Sequence, residues 1–426
     1  MRDRLATTTF LLGAVALIAT VVAPAHSQAK FGALPRRADA PSDNPSTPDK
    51  VALGRQLFWD PILSATGDVA CATCHHPAFG YADGLDVSIG VNGVGQGTAR
   101  HFSDDVTARF VKRNSPTVLN AAFNGLTAEA SHTGADAPMF WDNRVHSLET
   151  QALEPLKALE EMRGERIETT DALNQAVTRV AGVAEYRRLF AKAFGPKATV
   201  TDVNMARAIA AFERTLTAGD APFDRYMRGD SSAMTAQQVR GFEAFQTMGC
   251  ANCHVGPMFS DYQLHVLGVP ENNKLASPDT GAEGRYAFRT PTLRNLAYTA
   301  PYMHNGTFTS LDAVLAFYNR VGGGRGGPGR GPQRGQPPQG FGGPGPGGPQ
   351  AGQGFAGRGG PGRGRGRGGV NPNVGRQDLD PLLRQVDVRA GRQDVIAFLG
   401  ALNDPDFDKT VPEHVPSGLK PGGNIH

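Results

Sequence analysis

Apolar residues recur at helical spacing along most of this chain. Between residues 201 and 216, Val203, Ala206, Ile209, Ala210 and Phe212 share one face, with Asp202 placed as a cap, and residues 171–194 carry a similar period. Leu311, Val314, Leu315 and Tyr318 form another stripe over 310–319, and residues 393–402 predict a closing helix. Few stretches alternate in the manner of strands, so the pattern predicts an all-α fold. A G-x-x-x-F segment occurs twice, at Gly54–Phe58 and Gly241–Phe245. It predicts two helices whose glycine permits close packing, and with them a degenerate duplication. Phe10 to Val22 is a continuous apolar run behind Arg2 and Arg4, followed by Ala25-His26-Ser27. That order predicts a secretory signal over residues 1–27; the alternative, a retained anchor, has an apolar run short of a comfortable span. No other segment predicts a membrane crossing. Residues 28–47 and 405–426 are Pro-rich and polar and predict extended segments.

Composition refines this picture in one place. A chain of 426 residues exceeds the about 250–300 at which single cores stop growing, so two domains are expected, over 48–217 and 218–404. Residues 322–369 hold 24 of the 54 Gly, with eight Pro, seven Arg and no acid. Such a tract cannot bury enough apolar surface to offset its ordering entropy, which predicts a disordered insertion over 322–375. Setting aside its seven Arg and the excess charge of the first 27 residues turns the formal +3 of the chain into −5 for the remaining body. A mildly acidic body argues against nucleic acid as a partner, and the Arg-Gly tract has no aromatic RNA-binding platform beside it. A flexible loop, or a cationic contact to an acidic partner, is the reading it supports.

Four Cys in an exported chain would ordinarily suggest two disulfides. Their spacing points elsewhere. They occur as Cys71-Ala72-Thr73-Cys74-His75 and Cys250-Ala251-Asn252-Cys253-His254. C-x-x-C-H is the attachment motif of c-type haem: the two thiols add to the vinyl groups of one porphyrin, and the next imidazole, His75 or His254, becomes the proximal iron ligand. A lone C-x-x-C would leave a redox pair or a zinc half-site open; two copies, each followed by His, predict two covalent haems.

The order of motifs resembles the bacterial dihaem cytochrome c peroxidase family, including its methylamine-utilisation (MauG) branch. Carrying the resemblance are Leu57–Pro61, the two haem motifs, Arg113-Asn114-Ser115-Pro116-Thr117, Phe140-Trp141-Asp142, Ser147-Leu148-Glu149, Ala210–Thr215, Pro222–Tyr226, Thr290–Asn295 and Pro301–Gly306. It implies two cytochrome c-like domains packed together, with hydrogen peroxide reacting at the first haem and electrons passed or stored by the second. A small redox protein, cytochrome c or cupredoxin, is the implied donor, and a protein substrate is the alternative. An exported chain of this kind implies the bacterial periplasm.

The resemblance also implies residue roles. Glu149 matches the family's distal glutamate, which shifts a proton between the peroxide oxygens; by residue type alone it could equally be a solvated acid paired with Arg144. Peroxidases that need reductive activation carry a blocking His after S-I-G, whereas Ser88-Ile89-Gly90 is followed here by Val91, which cannot ligate. His101 is the substitute to consider, while His76 reads as a surface or propionate contact, and His132 and His146, which flank the distal region, as ordinary polar positions. Tyr318 falls where the methylamine branch places a tyrosine ligand to the second haem, with Met258 and Met303 as rivals; a hard phenolate would favour the ferric iron. A Ca²⁺ site is implied at Asn114, Thr299 and Pro301. Two departures weaken any role in oxidising a protein: Glu129 stands at the family's inter-haem tryptophan and Met248 at the branch's surface tryptophan; Met139, at the glutamine before F-W, implies altered distal hydrogen bonding.

Overall fold

The computed structural model describes residues 31–103, 109–127, 134–322 and 370–425; the expected signal segment and all but the edges of the Gly/Arg/Pro insertion lie outside them. The described chain is mostly helical. In order run α1 (Pro48–Trp59), α2 (Cys71–Cys74), α3 (Leu148–Gln151), α4 (Glu154–Lys157), α5 (Ala172–Gly182), α6 (Ala184–Phe194), α7 (Asp202–Glu213), α8 (Pro222–Met227), α9 (Ala236–Thr247), α10 (Leu311–Val321) and α11 (Arg392–Gly400). Three small antiparallel pairs accompany them: β1 (Gly93–Val94) with β2 (His101–Phe102), β3 (Pro138–Met139) with β4 (Val145–His146), and β5 (Leu264–Val266) with β6 (Ala287–Arg289).

Local detail departs from the periodicity in three places. The stretch 171–194 is two helices, broken where Val183 turns extended (φ −86°, ψ 118°). The cap of α7 is Thr201, whose side chain accepts the Asn204 N–H, because it has the extended backbone that an N-cap needs and Asp202 is already helical. Val203 faces solvent, and Met205 and Ala208 take the buried face beside Ala206 and Ile209.

Two helix crossings organise the packing. A Cβ on Gly54 of α1 would lie 1.9 Å from the Ala208 carbonyl oxygen and 2.9 Å from Phe212 Cβ on α7. A Cβ on Gly241 of α9 would lie 1.9 Å from the Asp394 oxygen and 2.8 Å from Phe398 Cβ on α11. Each crossing therefore needs a bare backbone. Around the first, Leu53, Leu57, Met205, Ala208 and Ile209 bury against Val180, Tyr186 and Phe190. Around the second, Phe223, Phe245, Phe259, Val395 and Phe398 form an aromatic-rich core.

The chain ends do not stay with their nearest core. Phe31, in the expected N-terminal extension, packs on Phe242, Phe245 and Phe259 of the second. The segment expected as a tail beyond residue 405 is built into the first: Phe407, Val415 and Ile425 bury with Phe58, Trp59 and Tyr81. Gly422 N–H donates to Trp59 O (2.7 Å) and Asn424 N–H to Asp68 O (2.9 Å). Its apolar residues are too sparse to show a period, and of them Phe407, Val415 and Ile425 are buried while Val411 and Leu419 stay exposed. Asn371, at the edge of the expected insertion, donates its N–H to Gly268 O (2.8 Å). A buried, doubly hydrogen-bonded pair, Arg294–Asp224 (2.8 and 2.9 Å), also takes the Leu34 N–H and so ties the N-terminal segment to α8. Among the described residues no helix is long and apolar enough to cross a membrane.

Gly54→Ala and Gly241→Ala are each expected to destabilise the protein by about 1–3 kcal/mol, the usual cost of overpacking. Gly182→Ala, at a helical glycine with nothing within 4 Å of the added atom, should instead be neutral or gain up to about 1 kcal/mol. Denaturant midpoints decide the matter, and a Gly54→Ala protein as stable as wild type would refute the tight crossing.

Candidate functional site

Residues 71–74 form a single helical turn, fixed by Thr73. Its hydroxyl accepts the Ala70 N–H (2.8 Å) and donates to Gly422 O (2.7 Å). Both thiols and His75 thereby line one cavity. His75 Nδ1 lies 3.1 Å from Tyr81 O and 3.2 Å from Ser115 Oγ, which itself donates to Cys74 O (2.7 Å). The second motif repeats the device: His254 Nδ1 lies 2.9 Å from Phe259 O. In each case the accepting carbonyl belongs to an aromatic residue in the left-handed region, Tyr81 (φ 58°) or Phe259 (φ 54°). An Nδ1–H donated to a carbonyl leaves the lone pair on Nε2, the tautomer a metal requires. Burial pushes the His75 imidazole down to about 4 and lowers that of His254, keeping both neutral. It pushes Cys74 and Cys250 up to about 12 and raises Cys71, and all four cysteines are free. Paired free thiols beside a neutral, anchored imidazole are the donor set of a c-type haem, so both motifs fit the group.

The second cavity is the larger, about 220 Å³, and mostly apolar. Phe245 and Leu399 line it together with Cys250, Cys253 and His254, and Tyr318 and Met303 also reach it. Met258 does not: it is buried beside Leu34, Phe123 and Tyr262, which removes one rival to Tyr318. Burial raises the phenol of Tyr318, and the sulfurs of Cys253 and Cys250 lie near enough to add to the effect. Asn114 and, far from it in sequence, Thr299 and Pro301 line this same cavity. Asn114 spends its Nδ2 on Leu85 O (2.7 Å), which leaves its amide oxygen, the atom a hard cation prefers. One feature escaped the sequence reading. His265 on β5 is held between Asp380 (2.5 Å) and Asp261 (3.0 Å), and the Asp261 hydrogen bond above all pushes it up to about 11. An imidazolium flanked by two carboxylates thus stands in the cavity wall; Asp261 is four residues from His265, whereas Asp380, 115 positions away, gave no local signal.

The first cavity, about 50 Å³, is narrower and bears acids. Glu149 sits in α3 under the Ser147 cap. Its Oε1 accepts from Arg214 (2.6 Å) and Asn44 (2.7 Å), not from Arg144, which binds Asp142 instead. Glu161 and Glu213 line the cavity wall itself. Burial pushes them up to about 7 and about 8. Neither was singled out from sequence, although a Glu ending the buried face of α7 is a readable signal. Val91 packs in the first core, and His101 is exposed on β2 with its Nδ1 2.9 Å from Ala99 O, so it turns away from the cavity. His76 edges onto Trp59, and His146 is exposed on β4. His132 and Glu129 lie outside the described residues. Met139 is buried beside Asn124, and Met248 packs against the second core.

Residues 48–232 match the family model of the di-haem cytochrome c peroxidases. The chain is 38% identical to the methylamine utilization protein MauG of Methylorubrum extorquens over 293 residues, which is 68% of this chain and 73% of that protein. It is 36% identical to the cytochrome c551 peroxidase of Pseudomonas aeruginosa over 309 residues, covering 69% and 79%. Among solved structures, a MauG-like protein associated with microbial copper homeostasis superposes with a TM-score of 0.61 at 25% identity, covering 87% of this chain and 95% of that one. Sequence, fold and the paired thiol–imidazole sites agree: the chain belongs to the di-haem cytochrome c peroxidase family, oxidoreductases that carry two c-type haems.

Proposed function

We propose that the chain is a periplasmic peroxidase, exported by a cleaved signal over residues 1–27, that reduces hydrogen peroxide to water with electrons from a small cytochrome c or cupredoxin. The observation that carries this reading is the first cavity. It joins two thiols and an anchored imidazole to a wall of acids, while Val91 cannot coordinate and His101 faces solvent. When bound, the haems supply the redox chemistry, taking up and passing on the two electrons that peroxide reduction consumes.

The chain's own groups do the rest. Cys71 and Cys74, and Cys250 and Cys253, would anchor the two porphyrins, and His75 and His254 would hold iron through the Nε2 that their Nδ1 contacts leave free. Glu149, oriented by Arg214 and Asn44, accepts a proton from one peroxide oxygen and returns it to the other. Tyr318 completes the second site, where a hard oxygen donor suits ferric iron. Asn114, Thr299 and Pro301 would hold a Ca²⁺ between the sites, with oxygen donors suited to a hard cation. A second reading, oxidation of a partner protein, draws support from Tyr318, the ligand type of the methylamine branch. Turnover of a reduced cytochrome without any protein product separates the two.

The diferric protein is expected to react with peroxide with no prior reduction, and Glu149→Gln to slow that reaction by about 10²-fold, the scale of a lost general acid–base. Stopped-flow spectra check this; reactivity that appears only after one-electron reduction would refute an open first site. Tyr318→Phe should alter the spectrum of the second haem and leave peroxide binding at the first intact. An unchanged second-haem spectrum would return the ligand role to Met303.

A further inference from the structure

The two helix crossings can be laid one upon the other. Gly54 meets Ala208 and Phe212, and Gly241 meets Asp394 and Phe398, the same four-residue interval on α7 and α11. The next residue in register is Glu213 on α7 and Leu399 on α11. Both are buried, at 4% and 5% exposure, and each lines the cavity beside its own pair of thiols. An apolar side chain satisfies the packing at this position, as Leu399 does in the second unit. The first unit carries a carboxyl instead, and its Oε2 is buried with no hydrogen-bond partner among the described residues. An unpaired buried polar atom opposes folding, so packing gives no reason for it.

We propose that Glu213 is a proton donor of the first site, a buried carboxylic acid that supplies a proton to the second peroxide oxygen as it is reduced to water, the first having left on the proton that Glu149 shifts. The proposal rests on the peroxidase reading above. In the full reaction peroxide takes two electrons from the redox partner and two protons, the O–O bond breaks, and two waters form. Glu213 supplies one of those protons by breaking its own O–H bond. The carboxylate left behind is reprotonated from solvent by way of Glu149, whose side chain is 21% exposed and whose charge acts on Glu213. The labour is thereby divided: Glu149, ion-paired with Arg214, is the port to solvent, and Glu213 holds the proton inside.

The groups around Glu213 support this assignment. Arg214 follows it at the end of α7, Glu149 faces it from α3, and Cys71, His75 and Glu161 share its cavity. Burial is the largest influence on the carboxyl and Glu149 adds to it; Arg214 opposes both, and the balance pushes it up to about 8. A raised value keeps the acid protonated below that pH and strips it above, so proton donation should fail as pH rises through about 8.

The test uses the protein with both haems attached. Glu213→Gln and Glu213→Leu, the latter copying the second unit, should fold and bind both groups. Glu213→Gln should slow the peroxide reaction by about 10²-fold and flatten its alkaline decline, while Glu213→Asp restores part of the rate. Infrared difference spectra give a readout that needs no turnover: wild type should show a protonated-carboxyl C=O band that disappears at alkaline pH and is missing in Glu213→Gln. A wild type inert to peroxide overturns the peroxidase reading and this role with it. A reactive wild type matched in rate and pH profile by Glu213→Gln, or lacking the band, overturns the role alone.

Discussion

The whole arrangement hangs on backbone approaching backbone at two glycines. With α1 against the Ala208 carbonyl and α9 against that of Asp394, the helix that precedes each C-x-x-C-H motif is pinned to one from the far end of its unit. That contact carries Glu213, or Leu399, onto the cavity that the motif defines. A methyl group at either crossing would push the helices apart, and the cavity wall would move with them. Packing at this point thus fixes the chemistry several residues away.

From that shared frame the two sites diverge by side chain alone. Both anchor the imidazole through Nδ1 on a neighbouring carbonyl and leave Nε2 to the metal. Beyond this, the first is narrow and edged by acids, while the second is roomy, apolar and faced by a phenol. A low-dielectric wall holding protonated carboxyls suits proton delivery. An apolar chamber with an oxygen donor suits storage of oxidising equivalents. His265, held between Asp261 and Asp380, is the polar element of the second wall nearest its thiols.

Much of this was legible in the residues, and the gaps have physical reasons. The haem motifs, the G-x-x-x-F helices and the stripe of α10 are local patterns, and local patterns survive into structure. The break at Val183 was hidden because both halves of the stretch keep a helical period. Glu149 was found through its motif, but its partner was not: Arg214 is 65 residues away, and only the meeting of α3 with α7 brings them together. The packed C-terminal segment and the Asp380 side of His265 were missed for the same reason, since those contacts join residues far apart along the chain, and the i,i+4 pair of Asp261 with His265 does not by itself point to a cavity wall. Glu213 was readable in principle, because the duplication that exposes it was already visible in the spacing of glycine and phenylalanine.

The return of residues 417–425 to the first unit has a consequence for the order of assembly. Ser417 meets Asp60 across 357 positions of sequence, and the Gly422 carbonyl takes the Thr73 hydroxyl of the first thiol-bearing turn. Contacts of such separation form late, because the loop they close is long. The first unit therefore waits for the second to emerge and collapse before its own base is sealed. Until then the turn holding Cys71 and Cys74 lacks its final restraint, and that interval is when an incoming porphyrin meets the least resistance.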